Sequence, residues 1–159
     1  QLDFETNKES FASISREFID RYQSRWLAEC QLHQNTQQTL KKIQKLGIQQ
    51  SVLSAAEQTT LQEGLAHYEI NPYFHSIVGT NNIEATGKKE KGLELKRQLA
   101  CKPKQILLIG DTLHDHEVAE VIGCDCALLT HGHNDITQLQ ITNAQLVHNM
   151  DAVIPLLKH

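Results

Sequence analysis

Two aspartates in "QILLIGDTLHDHEVAEVIG" (105–123) have the residue type and spacing for chemistry. Asp111 follows four aliphatic residues that predict a buried strand, and Asp115 lies four positions later in a segment with helical spacing. Carboxylates are the ligands that Mg²⁺ and other hard cations prefer. An aspartate after a strand is also a common turn residue or helix cap, so each one taken alone leaves both interpretations open.

A hydroxyl and a lysine are predicted to reach the same edge of the fold. Ser54 ends the run "SVLS", and the lysines of "GKKEK" (87–91) open a helix after the strand "SIVGT". Ligands of open α/β sheets bind beyond the carboxyl ends of the strands. Two carboxylates, a lysine and a hydroxyl gathered there would suit a phosphoryl group and a divalent metal. Taken alone, Ser54 fits a cap for the helix near Glu57, and the lysines fit a solvated face.

The elements that must position these side chains alternate after Gly47. Strands and helices follow one another at intervals typical of a parallel sheet covered on both faces. Upstream, the spacing predicts a long helix from Lys8 to about His33 and a second helix capped by Asn35 or Thr36. The apolar positions assigned to the buried sides of these two helices are Phe11, Ile14, Phe18, Tyr22 and Trp26, then Leu40, Ile43 and Leu46.

Composition limits the class of protein. A chain of 159 residues with 40% apolar residues, 21% charged residues and a net charge of −4 predicts one globular domain without a broad basic surface for nucleic acid. No apolar run approaches the roughly 20 residues that span a bilayer, and the start lacks the pattern of a signal peptide. We therefore expect a cytoplasmic protein without a membrane partner. Its cysteines are expected to be buried reduced thiols, with a disulfide or metal role as the alternative: Cys30, Cys101, Cys124 and Cys126.

The order of Ser54, a lysine opening a helix, and "GDTLHD" after an aliphatic strand resembles the second, third and fourth motifs of the haloacid dehalogenase superfamily. Four segments are most similar to the phosphoglycolate-phosphatase-like branch of this superfamily: "SVLSAAEQ", "YFHSIVGT", "GKKEKGLEL" and "LLIGDTLHDHEVAEVIGC". The resemblance covers the chain from about Gln34 to the end. It implies a three-layer, Rossmann-like α/β core with a parallel sheet over residues 35–159, and the latter part of a helical cap over residues 1–34.

The resemblance also implies roles for individual residues. Asp111 would ligate Mg²⁺, and Asp115 would support that metal directly or through water. Ser54, with the backbone N–H of Ala55, would bind the phosphoryl group. Lys88 would bridge the nucleophile and the phosphate, because "GKKEKG" matches the family pattern best with Gly87 in the place of a serine; Lys89 is the alternative. The implied substrate is a small phosphorylated metabolite, and the oligomeric state stays open.

The chain departs from the family in one respect that matters for activity. The first motif of the family, Asp-x-Asp-Gly-Thr at the end of the central strand, supplies the nucleophile of an aspartyl-phosphate route, and no Asp-x-Asp occurs here. Asp3 lacks both a preceding strand and a second aspartate at the needed spacing. We therefore expect this chain alone to be inactive and assign the phosphatase function to a longer parent protein.

Two other interpretations remain open at the level of sequence. A catalytically dead module of the same fold would bind a phosphorylated ligand or a protein. The segment "THGHND" also resembles the start of the dinuclear zinc site of metallo-β-lactamase-like hydrolases, with His131, His133 and Asp135 as ligands. The position where the next histidine is expected holds Ile136, and only 23 residues follow it. The short remainder disfavours the zinc interpretation.

Overall fold

The computed structural model describes residues 31–80 and 87–157. Ten helices and strands alternate along these described residues: α1 (Thr36–Lys45), β1 (Ser51–Glu57), α2 (Gln58–His67), β2 (Ser76–Thr80), α3 (Lys88–Leu99), β3 (Leu107–Gly110), α4 (Leu113–Ile122), β4 (Asp125–Leu129), α5 (Ile136–Leu139) and β5 (Gln145–Val147). Three short 3₁₀ helices complete the set: Asn71–Tyr73, Pro103–Gln105 and Met150–Leu156. Within the described ranges, no helix is long and apolar enough to span a bilayer.

All strand pairings are parallel, which confirms the predicted α/β class. The described strands form two separate sheets, one with the order β1-β2 and one with the order β3-β4-β5. The sequence predicted alternation of strands and helices but could not predict this division. β1, β2, β3 and β5 each pair with one neighbour only, so each has a free edge among the described strands.

One layer of helices covers both sheets on the same side. α3 packs on β1 and β2, α4 packs on β3 and β4, and the two helices contact each other. Gly92 of α3 lies where they meet: a Cβ on it would come within 3.1 Å of Val118 and Ile122 in α4 and 3.3 Å of Leu53 in β1. The close helix contact therefore brings the start of α3 near the start of α4.

A second layer covers the opposite side. α1 and α2 enclose one apolar cluster with the sheet β1-β2, and the 3₁₀ helix Met150–Leu156 encloses another with β3, β4 and β5. Asp151 joins the two parts of this layer, since its carboxylate accepts hydrogen bonds from the side chains of Asn35 (2.6 Å), Thr39 (3.2 Å) and Lys42 (3.0 Å). Both helical layers thus connect the two sheets.

The structure corrects three local predictions. Leu40 and Ile43 of α1 are buried, but Leu46 is 43% exposed, because it follows the last helical residue where the chain turns through Gly47 at φ +72°. Asn35 precedes α1 at φ 65° without a capping hydrogen bond, and its side chain binds Asp151 instead. Glu57, rather than Ser54, caps α2 by accepting from the N–H groups of Thr59 and Thr60.

Two other predictions concern the ends of the chain and the cysteines. The predicted helix over residues 8–33 lies outside the described residues except for residues 31–33, which are not helical, and the predicted cap segment over residues 1–34 lies outside them except for residues 31–34. Cys101, Cys124 and Cys126 are free thiols, as expected, but they are half-buried rather than buried, and Cys30 lies outside the described residues. Burial raises the pKa of the Cys126 thiol to about 12, so this thiol stays protonated near neutral pH.

Candidate functional site

The turn from β3 into α4 positions both aspartates of the "GDTLHD" segment. β3 ends at Gly110, where a Cβ would overlap the Asp115 carboxylate, so only glycine leaves room for that side chain. Thr112 then caps α4: its hydroxyl accepts from the Asp115 N–H at 3.2 Å and donates to Asp115 Oδ2 at 2.8 Å. This reciprocal capping box fixes the first turn of the helix and aims the Asp115 side chain back toward β3.

The Asp115 carboxylate is buried and saturated with donors. Oδ2 accepts from the N–H groups of Asp111 and Thr112, both at 3.0 Å, in addition to the Thr112 hydroxyl. Oδ1 accepts from Lys88 Nζ at 2.5 Å. A carboxylate has about four acceptor positions, so Asp115 has little capacity left for another ligand.

Lys88 and Asp115 form a buried ion pair between α3 and α4, with side chains that are 13% and 6% exposed. Burial alone raises the pKa of the Asp115 carboxyl, but the hydrogen bond and charge of Lys88, the Thr112 hydroxyl and the Asp111 N–H outweigh it and hold that pKa below its ordinary value. Asp115 is therefore ionised at neutral pH and holds the Lys88 ammonium in place.

The structure separates the two lysines that the sequence left as alternatives. Lys89 Nζ binds Glu117 at 2.9 Å on the surface, where the two side chains are 39% and 51% exposed. Lys88, the preferred candidate, points inward to Asp115. Neither contact tests binding of a phosphoryl group, which stays a prediction.

Asp111 has one engaged oxygen and one open oxygen. Oδ2 accepts from the His133 N–H at 2.8 Å and lies 3.2 Å from His133 Nδ1. Oδ1 accepts no hydrogen bond from residues in the described ranges, and the side chain is 28% exposed. The "GDTLHD" segment thus contains one carboxylate that holds the structure together and one that is available to a ligand.

Ser54 lies where the pairing of β1 with β2 becomes irregular. The regular register ends at Leu53, opposite Val78, and resumes only at Glu57, opposite Thr80. β1 therefore continues past Ser54, where the sequence predicted its end. The Ser54 hydroxyl accepts from the Ala56 N–H at 3.1 Å. Its proposed contact to a phosphoryl group, shared with the Ala55 N–H, remains a prediction.

Three residues that support the aspartates were not predicted from the sequence in this role. Thr112 could have been found, because "TLHD" has the Thr-x-x-acid form of a capping box. His133 and Asn134 contact Asp111 and the first N–H of α4 from a loop some 20 residues away, and no local pattern in the sequence indicates this.

The residues proposed as zinc ligands make contacts that differ from those of a shared metal site. Asp135 caps α5 through Thr137, and His133 contacts Asp111. No group of three potential metal ligands occurs in the described part of the chain, so His131, His133 and Asp135 do not form one site. They line an open cavity of about 610 Å³, together with Thr130, Gly132, Asn134, Ile136 and His148.

The histidines that flank Asp115 bind surface partners. His114 Nδ1 lies 3.2 Å from Glu117, and His116 Nε2 lies 2.6 Å from Asn143 Oδ1. Neither ring contacts the carboxylate of Asp111 or Asp115 in these hydrogen bonds.

A family model and curated relatives agree on the family to which this chain is similar. The model of the haloacid dehalogenase-like hydrolases matches residues 2–129. A phosphoglycolate phosphatase of Photorhabdus laumondii is 22% identical over 135 residues, covering 84% of this chain and 58% of the relative. One of Shigella boydii is 23% identical over 159 residues, covering 98% of this chain and 63% of the relative. The chain thus spans about three fifths of the length of these relatives.

Solved structures share the fold at low identity. A haloacid dehalogenase-like hydrolase of Streptococcus pneumoniae superimposes with a TM-score of 0.83 at 20% identity, covering 96% of this chain and 74% of that chain. A protein of Mycobacterium tuberculosis described as Protein Tyrosine Kinase A reaches 0.77 at 20% identity, covering 99% and 73%. Because proteins with such different names share the fold, function has to be argued from the site.

Proposed function

The chain belongs to the haloacid dehalogenase-like hydrolases, and from this premise we propose that its parent protein is a Mg²⁺-dependent phosphatase of a small phosphomonoester. The observation that carries the proposal is the cluster at the start of α4, where Lys88 and Asp115 pair beside an Asp111 carboxylate with an open oxygen. A phosphoryl group in transfer needs a positive charge and hydrogen-bond donors held in fixed positions. The relatives' names make phosphoglycolate the first substrate to test.

The residues fit Mg²⁺ as this ion is usually held in phosphoryl-transfer sites. Mg²⁺ commonly keeps several waters and takes one or two carboxylates together with phosphate oxygens. Asp111 offers one hard oxygen for it, while the Asp115 oxygens are occupied by protein donors. Asp111 would hold the metal, and Asp115 would support the site by fixing Lys88 and the Asp111 backbone. A metal held there would supply positive charge to offset the negative charge on the phosphoryl oxygens.

Lys88 and Ser54 would orient the substrate. The ammonium of Lys88 is a compact charge that Asp115 keeps in one place, which suits contact with a phosphoryl oxygen. The Ser54 hydroxyl and the Ala55 N–H would donate to other phosphoryl oxygens at the irregular part of β1. These contacts would hold the phosphorus for in-line attack.

The nucleophile of the implied aspartyl-phosphate route is not among the residues of this chain, since its sequence has no Asp-x-Asp. The free edges of β1 and β3 and the two helical layers that connect their sheets support a place for one further strand between them. We propose that this strand belongs to the parent protein and ends in the nucleophilic aspartate. The chain alone would then be inactive.

A catalytically dead module that binds a phosphorylated ligand or a protein is the second candidate. The open Asp111 oxygen beside a held lysine fits ligand binding as well as catalysis. The two candidates differ in the parent gene upstream of Gln1. An aliphatic strand followed by Asp-x-Asp there would favour the enzyme, and its absence would favour the binding module.

The decisive experiment is a phosphatase assay of the parent protein against phosphoglycolate, sugar phosphates, nucleotides and pyrophosphate. We expect Asp111→Asn to reduce turnover at least about a hundredfold, because it removes an electrostatic catalytic group. Asp135→Asn is the matched control, since Asp135 caps α5 on the surface, and it should retain activity. Near wild-type turnover in the Asp111 variant would contradict the proposal.

A further inference from the structure

Asp111 is contacted by three consecutive residues of the segment after β4, Gly132, His133 and Asn134, which we call the Asp111 loop. A Cβ on Gly132 would overlap the Asp111 side chain, at 2.2 Å from its Cβ and 2.3 Å from Oδ2, so the glycine backbone lies directly against that side chain. Gly132 has no positive φ, and the turn itself therefore does not require glycine. The close approach of Asp111 is what excludes a larger residue at this position.

His133 and Asn134 extend this contact by hydrogen bonds. The His133 N–H donates to Asp111 Oδ2 at 2.8 Å, and the Asn134 N–H donates to the Asp111 carbonyl at a longer 3.4 Å. Asn134 Oδ1 also accepts from the Leu113 N–H at 2.9 Å. Leu113 is the first residue of α4, so its N–H has no acceptor within the helix, and Asn134 provides one.

We infer that the Asp111 loop is the positioning device of Asp111, which engages Oδ2 and leaves Oδ1 as the oxygen that binds a metal ion. The capping box and Asp115 hold the backbone of Asp111 from one side. The Asp111 loop holds the side chain from the other side, and Asn134 ties the loop to the same helix that Asp111 precedes. Asn134 and Gly132 are thus positioning residues that act through Asp111.

The first test measures binding of Mn²⁺, a spectroscopic substitute for Mg²⁺, to the purified chain by electron paramagnetic resonance, with nuclear magnetic resonance locating the ion by paramagnetic broadening. We expect Gly132→Ala and Asn134→Ala to weaken binding about tenfold or more, as changes in groups that orient metal ligands do. Gln138→Ala is the matched control, because the Gln138 side chain accepts hydrogen bonds from Asn134 Nδ2 and the Asp135 N–H, on the side of the loop away from Asp111, and it should change affinity less than about twofold. Unchanged affinity in both loop variants, or an equal loss in the control, would overturn the inference.

The second test does not depend on a metal. Gly132→Ala should lower the denaturation midpoint of the chain, and this shift should vanish when Asp111→Gly is already present, since the added methyl group then meets no side chain at position 111. An equal shift in both backgrounds would overturn the inference. The inference rests on the proposed metal-binding role of Asp111. If Mn²⁺ causes no broadening near Asp111 in the wild-type chain, the metal-binding role of Asp111 is rejected. The unfolding experiment then tests by itself whether the Asp111 loop contacts the Asp111 side chain.

Discussion

The two sides of Asp111 differ in burial and in how their polar groups are satisfied. On one side, in the Asp115 network of Lys88, Thr112 and Asp115, the Asp115 side chain is buried, Lys88 and Thr112 are half-buried, and each Asp115 oxygen has a protein donor. On the other side, the Asp111 loop borders an open cavity, and the His133 side chain is 90% exposed. The difference indicates that the two carboxylates of one short segment have different roles. Asp115 stabilises the surrounding structure, and Asp111 remains available to a ligand.

The largest effect on stability is expected from removing the buried carboxylate of Asp115. Asp115→Ala would leave the Lys88 ammonium buried without its counter-ion and the N–H groups of Asp111 and Thr112 without their acceptor. Loss of one partner of a buried pair costs about 3 to 5 kcal/mol, so we expect a decrease of that size in the free energy of unfolding, measured by chemical denaturation.

The matched control for that change is Asp111→Ala, which removes the open carboxylate four residues away. Because the hydrogen bonds to Asp111 Oδ2 come, within the described part of the chain, from the exposed loop alone, we expect a loss of about 1 kcal/mol or less. Equal losses from the two substitutions would contradict the division of roles between the two aspartates.

A smaller effect is expected in the pH dependence of stability, which tests whether Asp115, unlike Asp111, is held as an ion by the folded structure. The pKa of the Asp115 carboxyl lies below its ordinary value of 3.8 in the folded chain, so its contribution is complete above that value and is lost as pH falls through the folded pKa. We expect the unfolding free energy to decline below about pH 4 and this decline to be reduced in Asp115→Asn, with both curves measured by denaturation between pH 2 and 7.

Other acidic groups with lowered pKa also contribute to acid sensitivity, including Glu57 and Glu117, so the informative quantity is the difference between the two curves. The effect should be smaller than that of Asp115→Ala, because a protonated carboxyl still fills its site. Parallel curves would show that Asp115 is not held as an ion by Lys88.

The smallest predicted effect concerns the helix cap. Thr112→Ala removes the hydroxyl that bonds Asp115 but keeps Lys88 and both backbone donors, so we expect a loss of about 1 kcal/mol in the unfolding free energy. Thr112→Ser, which keeps the hydroxyl, should restore most of it. A loss as large as that of Asp115→Ala would mean that the cap, rather than the ion pair, dominates the network.

Much of the fold was predictable from local patterns. Aliphatic runs placed the strands that end near Asp111 and Thr80, and helical spacing placed α3 and α4, because burial imposes a period of two or 3.6 on each element. The preference for Lys88 over Lys89 came from the resemblance, and the structure shows which of the two points inward. The prediction that Leu46 is buried was wrong, because periodicity does not indicate where a helix ends.

The sequence by itself determined which residues could do chemistry: two aspartates four positions apart after a strand, a lysine at a helix start and a serine near a strand end. Only the tertiary structure decided how the aspartates differ. Whether a carboxylate is a framework group or an available ligand depends on the donors that reach it. Asp115 has local donors in Asp111 and Thr112, but its counter-ion Lys88 comes from α3, and the donor to Asp111 comes from the Asp111 loop, both more than 20 residues away. No local pattern contains contacts between residues so far apart in the chain.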